Sequence, residues 1–165
     1  MSTKSCYLLR TLLPLGALLS ALLLTSPLHA STREHTLEAI HQLENPHNLP
    51  RPGARGELGA YQFRASTWRM HTAVPFTQAL DRAVSDAVAL RHYEWLRRGL
   101  EAARLPATPY TIALAWNGGL TAAVAGRSSR AAHDYAQRAA NLAADLQLRR
   151  QALAESVTPR VAVSS

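Results

Sequence analysis

The stretch Leu43–Phe63, LENPHNLPRPGARGELGAYQF, decides how this chain is read. Two glutamates, Glu44 and Glu57, flank a loop punctuated by proline and glycine, and a Gly-Ala-Tyr-Gln turn follows at once. Upstream, Leu37, Ile40 and Leu43 or Glu44 recur at helical spacing. That helix can start from Ser31 or Thr32, with Glu34 in its first turn. Pro46 ends it just after Asn45, because proline brings no amide hydrogen and disfavours helical geometry in the residue before it. Glu44 therefore lies in the last turn, on or beside the apolar face. From the residues alone, two readings stay open. Rotated into water, Glu44 is an ordinary helix-end residue. Held against the core, its carboxyl loses hydration, its pKa rises and it keeps its proton near neutrality, which is what a general acid needs.

Beyond the loop, Ser66 or Thr67 can cap a short helix through Trp68 and Met70. Pro75 opens a longer helix from Phe76 to about Leu105. Its buried stripe is expected at Leu80, Val84, Val88 and Trp95, with Asp81, Arg82, Arg91, Arg97 and Arg98 on the wet side. Pro106 and Pro109 separate it from "YTIALAWN", apolar enough for a buried helix and stopped by Gly118-Gly119. "LTAAVAG" predicts a small helix. A last one runs from about Ala131 to Leu153, with Tyr135, Ala139, Leu142 and Leu146 on one side. Apart from a short extended piece around residues 54–62, nothing reads as strand. The fold class is mainly α: a compact helical domain with little or no β.

The N-terminus reads differently. Lys4 and Arg10 precede the apolar run "TLLPLGALLSALLLTSPLHA", whose core Leu15 to Leu24 is shorter than the roughly 20 apolar residues of a spanning helix. Leu28-His29-Ala30 resembles a small-residue cleavage site, so residues 1–30 are expected to be a secretory signal peptide. Residues 31–153 then form the domain and 154–165 a flexible tail, with no membrane span after cleavage and a destination in the periplasm or cell envelope. The single cysteine, Cys6, falls within the leader, so no disulfide staples the exported part. The chain holds 18 Lys+Arg against 11 Asp+Glu. Such a surface favours anionic partners, and export points to an envelope polymer; no nucleic acid partner is expected.

Several chemistries lack their signatures. Glu38 and His41 sit one turn apart, half of a carboxylate-histidine di-metal site, but no second Glu-x-x-His accompanies them. No His-Glu-x-x-His, Gly-x-Ser-x-Gly or phosphate-binding glycine motif occurs. The histidines read as surface or capping residues, and no metal or cofactor is implied.

Four segments, in order, resemble the soluble lytic transglycosylases and goose-type lysozymes. "AIHQLENPHN" is similar to the segment that ends in that family's catalytic glutamate. "GELGAYQFRASTW" is similar to its Gly-x-x-Gln turn, followed by a helix. "IALAWNGG" resembles its Ala-Tyr-Asn-x-Gly segment, and "HDYAQRAANL" its late Tyr-x-x-Arg-x-x-x-Leu helix. Asn45 stands where the family usually has serine, and Trp116 where it has tyrosine. The resemblance implies a lysozyme-like fold with Glu44 as acid/base. It places Tyr61, Gln62, Trp116 and Asn117 along a sugar cleft, with Tyr135 closing the site near Glu44. Glu57 falls at a variable place, free to line the cleft, pair with Arg55, or act as the second carboxylate of an inverting site, a role that needs the two carboxyls about 6.5–9.5 Å apart.

The implied activity is cleavage of the N-acetylmuramic acid–N-acetylglucosamine bond of peptidoglycan, leaving 1,6-anhydromuramyl ends and needing one protein carboxylate. The implied partners are glycan strands and an envelope-spanning secretion or assembly machine. Two other classes compete: a module that holds peptidoglycan without cutting it, and a small helical interaction protein with no glycan role.

Overall fold

The computed structural model describes residues 27–157, with side chains described from Thr32 to Ser156. Most of the expected leader and the end of the tail lie outside the described residues. Six α-helices and one 3-10 turn make up the described part: α1 (Pro27–Glu44), α2 (Ala65–His71), the 3-10 turn Phe76–Leu80, α3 (Arg82–Ala102), α4 (Pro109–Gly118), α5 (Leu120–Val124) and α6 (Arg130–Val157). Within these residues the only β pairing is an isolated antiparallel bridge between Leu58 and Phe63. The fold is mainly α, as the periodicity indicates.

α4 is the central element. Thr108 and Thr111 form a reciprocal capping box, Pro109 occupies the first turn, and Gly119, at φ 87°, ends the helix. Four successive residues, Ile112 to Ala115, are buried, so the helix is covered on nearly every side. α6 packs most extensively on α4 and then on α1. Its contact stripe is Ala132, Ala136, Ala139 and Ala143, all buried. These small side chains let the helix axes approach: a methyl added at Gly118 would already lie 3.1 Å from the Ala132 Cβ. The core continues through Ile40, Trp68, Val88, Leu96 and Leu100.

Boundaries differ from expectation in four places. α1 begins at Pro27, before Ser31, so the expected cut after Ala30 falls within it. α2 has Arg64 at its N-cap with no side-chain bond, and Ser66 and Thr67 lie inside the helix. The long helix expected from Phe76 is broken: the Asp81 side chain accepts from the Val84 amide and starts α3 afresh, after a 3-10 turn. That break turns Leu80 outward, 45% exposed, and moves the buried stripe to Ser85, Val88, Ala89, His92, Tyr93, Leu96 and Leu100. Finally, α6 runs four residues past the expected end at Leu153, so Ala154 to Val157 of the expected tail are helical.

Candidate active site

Glu44, Glu57, Tyr61, Gln62, Trp116 and Asn117, drawn from α1, the following loop and the end of α4, line one open cleft of about 590 Å³. Three of the four resembling segments thus supply neighbouring walls. Tyr135 stands apart from them: it is buried, is not part of the lining, and meets the site beside Glu44 through its hydroxyl.

Glu44 ends α1 half-buried. Loss of hydration pushes its pKa up from the ordinary carboxylate value. The Tyr135 hydroxyl, donating to Oε1 at 2.8 Å, pulls it back in part, nearby Glu57 pushes it up again, and Arg138 pulls it down. Glu57 is shifted the opposite way. The backbone amide of Arg55 donates to its Oε2 at 2.8 Å and is the main cause of a lowered pKa, with the Arg64 guanidinium, Nε 3.4 Å from Oε1, adding to it. The ion pair is therefore with Arg64, and Arg55 contributes its backbone amide. Two carboxyls in one cleft are held in different states: one biased towards the acid, one towards the anion.

Asn45, where the resembling family has serine, is buried and fully used. Its Nδ2 donates to the carbonyls of Leu49 (3.0 Å) and Gly59 (3.2 Å), and its Oδ1 accepts from the Leu49 amide (2.9 Å). One side chain thereby ties the end of α1 to the start of its loop and to the glycine turn. The Gly59 carbonyl also accepts from the backbone and the side chain of Gln62, which closes the turn at φ 46°. Glycine is required at 59: φ is +79°, and an added Cβ would sit 1.8 Å from the Ala79 carbonyl oxygen.

Tyr61 is buried in the cleft wall, and its hydroxyl donates to Asp86 Oδ1 at 2.7 Å. Arg82 bonds the same carboxylate and lies over the Tyr61 ring, 5.8 Å from its centroid. Trp116 packs against Phe63 (5.5 Å), Tyr61 (6.0 Å) and His92 (4.7 Å). His35, His41 and His92, expected at the surface or at caps, are buried instead. Among the described residues no three histidine, cysteine or acidic side chains converge as a metal site. No helix there is long and apolar enough to cross a membrane.

Sequence reasoning passed over His92, which also lines the cleft. The signal was present: His92 falls four residues after Val88 and four before Leu96, on the buried stripe of α3. Comparison with protein-family models, curated proteins and solved structures finds no match to the chain. The family resemblance thus stands on the four sequence segments.

Proposed function

We propose that this protein is an exported lytic transglycosylase that cuts peptidoglycan between N-acetylmuramic acid and N-acetylglucosamine, with Glu44 as its single acid/base. The observation that carries this reading is the state of Glu44: desolvated, with its pKa raised, hydrogen-bonded by Tyr135, and facing an open cleft. Glu44 donates its proton to the glycosidic oxygen as the C1–O bond breaks. The substrate's acetamido oxygen stabilises the oxocarbenium-like centre. Glu44, now a carboxylate, takes the proton of the muramyl 6-hydroxyl, whose oxygen bonds to C1 and closes the 1,6-anhydro ring. The attacking hydroxyl is already bound, so the closing step is intramolecular.

The alternative outcome, hydrolysis, needs a second carboxylate to activate water. Glu57 is poorly suited to it. Both its oxygens are engaged, by Arg64 and by the Arg55 amide, and a lowered pKa makes it a weak base. Its negative charge supports the developing cation and keeps the proton on Glu44. The working place is the periplasm or cell envelope, on glycan strands, in the service of an envelope-spanning secretion or assembly machine.

Digestion of purified peptidoglycan followed by mass spectrometry tests the reading. Anhydro ends are lighter than hydrolysed ends by one water, and Glu57→Gln should still release them. Reducing muramic acid ends together with an inactive Glu57→Gln variant would make the protein a two-carboxylate hydrolase. Sedimentation with insoluble peptidoglycan, without release of fragments, would make it a glycan-holding module.

A further inference from the structure

Outside the carboxylates, the cleft holds one more polar group in a constrained setting. His92 is only 6% exposed, yet it is part of the lining. Its ring is stacked on Trp95 (5.7 Å between centroids, 13° between planes) and meets Trp116 edge to face (4.7 Å, 67°). Its Nδ1 is 2.9 Å from Nε2 of His71, the last residue of α2. α2 is itself tied to α3 by Arg91, which donates to the His71 carbonyl at 3.2 Å. Two tryptophans therefore fix the plane of the imidazole and His71 occupies one of its nitrogens. The other, Nε2, has no hydrogen-bond partner among the described residues, and it is not sealed from solvent. A ring nitrogen inside a packed aromatic cluster is costly to leave unpaired unless water or a ligand completes it.

Resting on the glycan reading above, we infer that His92 is a sugar-contacting residue of the cleft, offering Nε2 to a hydroxyl or acetamido group, and that His71 is the positioning residue that sets its tautomer. The half-buried Trp116 beside it supplies the apolar surface on which a sugar ring lies. Charge decides which substituent is recognised. Burial, and the nearness of His71, push the His92 pKa down to about 3, so the ring stays neutral. A neutral imidazole provides one donor and one acceptor and no net attraction for carboxylates. Its ligand class is the uncharged polar substituents of the glycan. The carboxylates of peptide stems are left to the exposed arginines of the same cleft, Arg55 and Arg64.

The probe is tri-N-acetylchitotriose, which has the acetamido and hydroxyl groups but neither lactyl group nor peptide. Titrated into the purified protein, it should move the Nε2 resonance of His92 in long-range 15N spectra. His92→Phe keeps the aromatic stack and removes the nitrogen. It should raise the Kd for the probe about tenfold and raise KM on peptidoglycan fragments more than it lowers kcat. His71→Phe should have the smaller effect of a lost tautomer lock, read as a change in the 15N shifts of His92. A folded His92→Phe protein with unchanged Kd and KM overturns the inference. So does a wild-type His92 resonance that stays still at saturating probe, a measurement that needs no variant. Wall cleavage with His92 unaffected would remove this inference alone. A wild-type protein that neither binds the probe nor cuts the wall would remove the glycan reading, and the inference with it.

Discussion

Tyr135 and Glu44, 91 residues apart in the chain, are joined by a hydrogen bond of 2.8 Å from the phenolic hydroxyl to Oε1. The bond links the first turns of α6 to the last residue of α1, where the chain leaves the helix bundle for the cleft loop. It does two things at once. It fixes the rotamer of a half-buried carboxyl, and it offsets part of the pKa rise that burial causes.

Tyr135→Phe should therefore separate position from protonation. The hydroxyl stabilises the carboxylate, so its loss raises the Glu44 pKa further. A general acid must begin protonated, which means the alkaline limb of the kcat/KM profile should move to higher pH. The rate at its optimum should fall about tenfold, the effect of one lost hydrogen bond to a charged group. A pH–rate profile superimposable on the wild type would show that the bond does not tune the acid.

Glu44→Gln should lose at least 10²–10⁴-fold in wall lysis, the usual size of a general acid's contribution. It should also be more stable than the wild type at neutral pH. The folded-state pKa of Glu44 is raised above its ordinary 4.5. Between those two values the native state holds a proton that the unfolded chain has released, so wild-type stability falls as pH rises through that window. Glutamine removes the titration while still accepting from Tyr135. Melting curves at acid and neutral pH check the sign; a variant destabilised at neutral pH would contradict it.

Asn45→Ala should weaken the site without touching its chemistry. It removes two donated bonds and one accepted one: the Leu49 amide and carbonyl lose their bonds to Asn45, and the buried Gly59 carbonyl keeps only those from Gln62. Losing the three bonds together costs about 1–3 kcal/mol. Urea unfolding should show a loss in that range, and amide exchange should quicken from Leu49 to Gln62. Asn45→Asp, which keeps the acceptor alone, should fall between alanine and wild type.

His92 makes acid stability a readout of the aromatic cluster. Its folded pKa is near 3, against an ordinary 6.5. Between these values the unfolded chain binds a proton that the native state refuses, so stability is fully present above about 6.5 and is lost as pH falls. The slope approaches ~1.4 kcal/mol per pH unit for one such group, and His71, whose pKa is also lowered by burial, adds to it. Denaturant midpoints measured from pH 7 down to pH 4 should fall less steeply in His92→Phe than in the wild type. Parallel slopes would mean that the ring does not titrate on unfolding.

What the sequence determined by itself was local. Apolar spacing at Leu37, Ile40 and Leu43, with Pro46 behind them, places Glu44 at a helix end, and Gly118-Gly119 stops α4 next to Trp116 and Asn117. These readings depend on side chains within a turn or two of one another and on the missing amide of proline. Even local reading failed where two signals competed. Asp81 is a good N-cap, but the apolar residues on both sides of it read as one continuous helix. The state of the site was settled only in three dimensions. Whether Glu44 faces water or protein depends on α6 delivering Tyr135 and Arg138 to it. Glu57 takes Arg64 as its ion partner, because the Leu58–Phe63 bridge folds the loop back on itself. His92 became a cleft residue because α2 and α4 bring His71 and Trp116 to the same face of α3. Hydration, charge proximity and ring contact fall off within a few ångströms, so they are set by which distant segments arrive, and sequence spacing does not encode that distance.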